Sequence, residues 1–514
     1  MVNKKKTKLS IIHLEKNINL SIECEDFIIL GPGSGIIKKG NRIFLTNLQK
    51  KFFTKVRSLL TKKLFQQLKK ENLDFFLEYE ISNIGNDKIK FFDCIMNYLL
   101  IQKIINKKKY DKIELITDNK FSTNIFDKMK IKNLVVKNFS DNYQKLPLIY
   151  FFSKFIMKFL CVKLLTLFSK KNHYKNEDIS FNMFPNFYKN ENEIFFKNKN
   201  FLKLNFLFTD ETHLNHSLYE ILKIFFNSKK LDIVNIEQYV TFKDLKNCLI
   251  YFLSNYKKLK KSKKKLVINN LNFSNFYEEY LQISFLNRSK LQIYNSALKN
   301  FLTQLKPKRF HMYMFEYSFG FYLINQIKKN FKNIEILGYQ HGIFSDKLLW
   351  LDLLKINNSL KYYSPHKIIS LNKSCEIVYK KIYKKNAYKY LINNEFIQSK
   401  NFFNFIDYNG KKNIFFPGTH DVNDLIKYLD NINPKEKKNF LIKLHPKTKL
   451  KLKNHNLVLI KDLQKVKINK VFLSSTSTMV YNFKKNKKKY KIFKIDYKFD
   501  LTNKDYTSNN IIVF

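Results

Sequence analysis

Residues Ile336–Trp350 read ILGYQHGIFSDKLLW, an apolar run that ends in Tyr339-Gln340-His341-Gly342. The chain of 514 residues holds only 10 glycines, and two of them, Gly338 and Gly342, flank this histidine. Where composition disfavours glycine, a retained one marks positive φ or a close backbone approach. The stretch therefore reads as a buried strand that delivers polar side chains into a turn. The second half of the chain repeats the arrangement three times, in Pro417-Gly418-Thr419-His420-Asp421, in Lys443-Leu444-His445-Pro446 and in Ser474-Ser475-Thr476-Ser477-Thr478. A single histidine at a strand end is ordinarily structural, and a single hydroxyl run before a helix is ordinarily an N-cap. Four such ends together point to a ligand site, because open α/β sheets bind ligands at the carboxyl ends of their strands.

Two of these ends carry explicit chemistry. In NFLIKLHP a period of two sets Lys443 and His445 on one face, with Pro446 stopping the strand. In VFLSSTSTMVYNF the hydroxyl run falls where an apolar strand turns into a helix, so free backbone N–H groups, the helix dipole and hydroxyls make an anion site. Neutral donors and a lysine suit the phosphate of a nucleotide leaving group. The glycine-rich phosphate loop of ATPases is absent, and Ser475 has no GxSxG elbow. His341, His420 and His445 lie on separate segments without HExxH spacing, so no metal is expected.

Outward from these ends, strand-like and helix-like pieces alternate. In residues 1–140, DFIILGPGSG reads as a strand entering a glycine turn, FFDCIMNYLLIQKIINKK as a helix, and KIELITDN and LVVKNF as strands. LKLNFLFTDETH, LDIVNI, FHMYMFEYS, HKIISLN and NIFFPGTHD are strands of a second series, with SLYEILKIFFNSKK and FGFYLINQIKKNF as helices. This alternation predicts an α/β fold built on parallel sheets. The expected divisions are 1–140, an N-terminal α/β region; 141–200, a basic amphipathic helical segment; 201–372; and 373–514. Within the second of these, KLPLIYFFSKFIMKFLCVKLLTLFSKK is the most membrane-like stretch, but Lys154, Lys158 and Lys163 interrupt it too often for a spanning helix. Interfacial binding and burial between domains both remain open for it.

The formal net charge of +53 would ordinarily suggest nucleic acid. Yet the only arginines are Arg42, Arg57, Arg288 and Arg309, and arginine supplies the bidentate contacts that read bases and phosphates. Lys, Asn, Ile, Phe and Tyr are enriched together along the whole chain, so no nucleic-acid partner is expected. The charge does draw the chain towards anionic membranes and anionic substrates. Five widely spaced cysteines without CxxC spacing and an N-terminus lacking an apolar signal core suggest a cytoplasmic protein.

The order QHG, PGTHD, KLHP, SSTST resembles GT-B glycosyltransferases of bacterial surface-polysaccharide synthesis, namely capsule and lipopolysaccharide enzymes of the Kdo-transferase and sialyltransferase type. Teichoic-acid glycerophosphotransferases share the pattern more loosely. FHMYMFEYSFGFYLINQIKKN followed by ILGYQHG further resembles proteins of surface carbohydrate biosynthesis, and the likeness spans roughly residues 200–514. The resemblance implies two Rossmann-like domains facing a cleft, here with an extra N-terminal α/β region. It also implies transfer from a nucleotide-sugar donor to a glycan or lipid-linked acceptor, without metal or other cofactor, at the inner face of the cytoplasmic membrane. By the same likeness, Lys443 and His445 contact the donor phosphate, with His445 neutralising or protonating it. Ser474, Ser475 and Thr476 cradle it; Gln340, His341 and Gly342 lie across the cleft, and Gly418, Thr419 and His420 line its floor. Tyr481 and Asn482 stand where many relatives carry an acidic residue that holds the nucleotide's sugar, which leaves the donor open.

An inverting transfer needs a base for the acceptor hydroxyl. Asp210 and Glu211 in FTDETH and Glu316 in MFEYS stand at strand ends suited to that role. Two alternatives remain: transfer of glycerol or ribitol phosphate from a CDP donor, and a non-catalytic glycan-assembly protein that keeps the GT-B shell.

Overall fold

The computed structural model describes residues 7–70, 91–129, 131–140, 147–167, 177–181, 201–208, 217–230, 233–261, 265–313, 318–339, 363–370, 376–377, 380, 390–392, 406–418, 421–430, 439–444, 458–459, 466–474, 477, 479–480, 483, 487–498 and 511–513. Among them are three all-parallel sheets and one short antiparallel hairpin.

The first sheet takes β1 (Lys8–His13), β2 (Ser21–Ile29), β3 (Ile36–Arg42), β4 (Lys112–Thr117) and β5 (Leu134–Asn138) in the order β3-β2-β1-β4-β5. The central strands β1 and β4 are almost wholly buried, Ile11 opposite Leu115. Burial on both faces takes in polar residues as well as apolar ones here, namely Ser10, His13, Glu114 and Thr117. The helices α1 (Thr46–Lys70) and α2 (Phe91–Lys107) belong to this unit.

The second sheet comprises β6 (Asp178–Phe181), β7 (Leu202–Asn205), β8 (Ile233–Asn235), β11 (Arg309–Tyr313), β12 (Glu335–Tyr339), β13 (Lys367–Ser370) and β14 (Tyr390–Ile392), ordered β14-β13-β12-β11-β6-β7-β8. The hairpin β9 (Val267–Ile268) and β10 (Leu271–Asn272) falls between its halves in sequence. The helices α3 (Leu148–Leu167), α4 (Leu218–Lys230), α5 (Phe242–Lys261), α6 (Ser274–Leu291), α7 (Tyr294–Leu305) and α8 (Ser318–Asn330) accompany this sheet in sequence. The third sheet holds β15 (Ile406–Phe416), β16 (Phe440–Ile442), β17 (Val458–Leu459), β18 (Val466–Ser474), β19 (Lys491–Lys494) and β20 (Ile511–Val513) in the order β17-β16-β15-β18-β19-β20, with α9 (Val422–Asp430) following β15.

Counted within each sheet, the three orders are 3-2-1-4-5, 3-2-1-4-5-6-7 and 3-2-1-4-5-6. Each is the order of a doubly wound α/β sheet, in which the chain changes direction between the first and fourth strands and opens a crevice at their carboxyl ends. β6 lies ahead of residue 201 and is the strand from which the second sheet is wound, pairing with β11 and β7. β14, beyond residue 372, pairs with β13. Four residues, DISF, in a stretch rich in Phe, Asn and Lys give too short a period to stand out as a strand.

Helix α3 has two faces. Phe152, Phe155, Phe159 and Val162 sit in the main core, and the Phe152 ring stacks on Phe252 of α5 at 3.9 Å. No described helix is long and apolar enough to cross a membrane.

The first and third units are tied together by the loop that leaves β19. The Asp496 carboxylate, fully buried, accepts the backbone N–H groups of Leu45 and Thr46 at 2.9 Å each and the Thr46 hydroxyl at 2.7 Å, so it caps the N-terminus of α1 from another sheet. Gln49 Nε2 donates to the Asp496 carbonyl at 2.8 Å, Lys494 donates to Gln49 Oε1, and Asn97 Nδ2 of α2 donates to the Tyr497 carbonyl at 2.6 Å.

Candidate functional site

In the third sheet the three motif-bearing strands are immediate neighbours. β15 pairs with β16 on one side and β18 on the other, with Phe415 opposite Ile442 and Phe416 opposite Leu473. Pro417–Asp421, Lys443–Pro446 and Ser474–Thr478 therefore follow carboxyl ends on one edge of the sheet, at its switch point. In the second sheet Tyr313 of β11 stands opposite Tyr339 of β12, so Glu316 and Gln340–Gly342 follow two adjacent carboxyl ends beside the switch point. Asp210, Glu211, Glu316, Gln340, His341, Gly342, Thr419, His420, His445, Ser475 and Thr476 lie outside the described residues; Gly418, Lys443 and Ser474 lie within them.

Strand β16 stops at Ile442, one residue before Lys443, although the Lys443 N–H still donates to the Phe415 carbonyl at 2.9 Å. Ser474 is fully buried and donates its hydroxyl to Oδ2 of Asp421. This bond holds the end of β18 against the turn after β15. Ser477 behaves as a cap: its Oγ accepts the Met479 N–H at 3.2 Å.

Beneath this edge lies a network that the sequence motifs do not announce. Asp421 begins the turn into α9, with the Leu425 N–H donating to its carbonyl at 2.9 Å. Its carboxylate also meets Lys498 Nζ at 3.4 Å, and Lys498 makes a second ion pair with Asp424. The Tyr497 hydroxyl donates to Asp424 Oδ1 at 2.9 Å. Burial, then the Asp424 carboxylate, push this phenol well above its ordinary range and keep it a donor. Asp421, Asp424, Tyr497 and Lys498 are all buried, and together they fix how β15, β18 and β19 present their ends. Asp421 and Asp424, spaced one helical turn apart at the start of a helix, are the only signal of this in the sequence.

The second sheet has a comparable support. Glu237 follows β8, is fully buried, and its Oε1 accepts the Leu207 N–H at 2.8 Å and the Tyr294 hydroxyl at 2.6 Å. Asn205 Nδ2 donates to Asn235 Oδ1 at 2.9 Å, so the ends of β7 and β8 are locked side by side just ahead of Asp210 and Glu211. Burial raises the Glu237 carboxyl to about 7, against the opposing pull of the Tyr294 and Leu207 donors. A carboxyl raised above its unfolded value is stabilising in the acid form. That contribution is complete below about pH 4.5 and lost as pH rises through about 7, a change of about 3 kcal/mol for a fully buried group. Glu237→Gln keeps the acceptor and cannot ionise. Urea unfolding at pH 5 and pH 8 should therefore show the variant gaining on the wild type by about 2 to 3 kcal/mol at the higher pH. An equal difference at both pH values would show that Glu237 titrates normally.

The first sheet's glycine turn has a structural explanation. A Cβ on Gly31 would lie 2.2 Å from the Leu14 carbonyl oxygen, and one on Gly33 2.2 Å from that of Lys16. The Gly33 N–H donates to the Leu14 carbonyl at 2.8 Å, and Asp118 accepts the N–H groups of Glu15 and Lys16 at 2.9 and 3.1 Å. The chain's own backbone fills the space over Gly31 and Gly33, and the glycines are there to let it approach.

No protein-family model and no solved structure matches the chain. It is similar to Protein Ycf2 of Physcomitrium patens, with 27% identity over 420 residues, covering 70% of this chain and 17% of that protein. That name states no activity, and the chain spans about a sixth of the relative's length.

Proposed function

We propose that the chain is a metal-independent, inverting glycosyltransferase of the GT-B type, acting in bacterial surface-polysaccharide synthesis with a nucleotide-activated sugar as donor. The observation that carries this reading is the adjacency of β16, β15 and β18, with three separate polar motifs following their carboxyl ends at one switch point. A second doubly wound sheet, whose own polar motifs follow adjacent carboxyl ends, supports a two-sided site. In this reading Lys443, His445, Ser475 and Thr476 receive the donor phosphate. The chemistry is chiefly stabilisation of the departing nucleotide by donors set in place beforehand. Asp210, Glu211 or Glu316 takes the acceptor proton. Ser474 and Asp421 act behind the phosphate site, holding its backbone.

Thermal unfolding with CMP, CDP, UDP, GDP and ADP, with and without EDTA, tests the proposal. One nucleotide at a hundredfold excess over its dissociation constant should add about 2.7 kcal/mol of stability through mass action. The gain should survive EDTA and disappear in His445→Ala. No response to any nucleotide sinks the donor-site reading and favours a non-catalytic assembly role. A response that requires a divalent metal sinks the metal-independent mechanism.

A further inference from the structure

Large apolar side chains stand in water on one group of helices. On α3, Tyr150, Met157 and Leu164 are exposed, Met157 at 69%. On α5 the same holds for Phe242, Ile250 and Leu253. The two helices are neighbours through the Phe152–Phe252 stack. On α4, Tyr219 is 73% exposed and Phe226 also faces solvent; this helix adjoins α3, since Glu220 lies close enough to act on the charge of Lys158. Most of the exposed large apolar residues among those described belong to these three helices. Exposed apolar surface of this extent ordinarily marks an interaction site.

The residues between them identify the partner. Along the outer stripe of α5, Lys246, Ile250, Leu253 and Lys257 succeed one another; along α3, Tyr150, Lys154 and Met157 do so. Protein–protein interfaces are depleted in lysine at their centres, and here lysine alternates with the apolar contacts. A second copy of the chain would bring lysines against lysines. A lipid surface suits both: apolar tips enter the acyl boundary while lysine stems extend and carry their charge to the headgroups. We propose that α3, α4 and α5 form a face that docks the protein on an anionic membrane, lying in the interface without crossing it. The inward face of α3 packs in the core, so docking needs no unfolding of the helix.

Co-sedimentation of the full chain with vesicles tests this, using phosphatidylcholine alone or with about 30% phosphatidylglycerol. The variant Met157→Glu/Ile250→Glu/Leu253→Glu is compared with Ser21→Glu/Ile36→Glu/Asn41→Glu, which makes the same change in net charge on exposed positions of the first sheet. The wild type should pellet with the anionic vesicles and far less with phosphatidylcholine. The helix variant should partition at least about tenfold more weakly, and the control variant should bind as the wild type does. Circular dichroism checks that both variants are folded. Failure of the wild type to pellet overturns the proposal, as does equal pelleting with phosphatidylcholine. Equal loss in both variants assigns any binding to bulk charge and overturns it too. A wild-type dimer in sedimentation velocity that the helix variant converts to monomer assigns the face to a second copy instead.

Discussion

Lys498→Met is expected to cost about 3 to 5 kcal/mol at pH 7, enough to unfold a marginally stable unit. Lys498 forms ion pairs with the buried carboxylates of both Asp421 and Asp424. Removing it takes a cation from two acids in low dielectric, one of which accepts the Ser474 hydroxyl and the other that of Tyr497. Urea unfolding at pH 7 measures the loss. A deficit under about 1 kcal/mol would mean that the network is not what holds the ends of β15, β18 and β19.

That network also shows where sequence reasoning stops. The alternation of strands and helices is legible because periods of 2 and 3.6 differ within a few residues, and FFDCIMNYLLIQKIINK, KIELIT and VFLS fold as their patterns predict. Strand order is not legible, since DISF looks the same whether it lies at the edge or at the switch point; only its pairing with β11 and β7 decides. Likewise Asp421 meets partners 53 and 77 residues away, a separation at which no local pattern survives. Glycines are ambiguous for a related reason. Gly31 and Gly33 admit a close approach, as their type suggests, but what approaches is the chain's own Leu14 and Lys16 backbone. A strand's carboxyl end is a local property and so is legible, and the adjacency of β15, β16 and β18 brings three of those ends together.

Asp496→Ala should destabilise the protein by about 3 kcal/mol and do so across two sheets at once. Its carboxylate satisfies the N–H groups of Leu45 and Thr46 at the start of α1 and the Thr46 hydroxyl, all buried. An ordinary N-cap is worth about 1 kcal/mol. Here the cap is charged, lies at the positive end of a 25-residue helix, and supplies three bonds rather than one. Asn, which keeps one oxygen but not the charge, should recover part of the loss. The position of Asp496, two residues past β19, means that the same change loosens the segment carrying Tyr497 and Lys498 into the Asp421 network. Asp496→Ala and Lys498→Met should therefore be non-additive, with the double variant losing less than the sum of the two. Thr46→Ala removes one bond of the cap without touching the segment, and its effect should stay near 1 kcal/mol and add to that of Lys498→Met. Additivity of all three would mean that the cap on α1 and the network under the third sheet's edge act separately. Coupling of the first pair alone would place the N-terminal unit in mechanical contact with the candidate site.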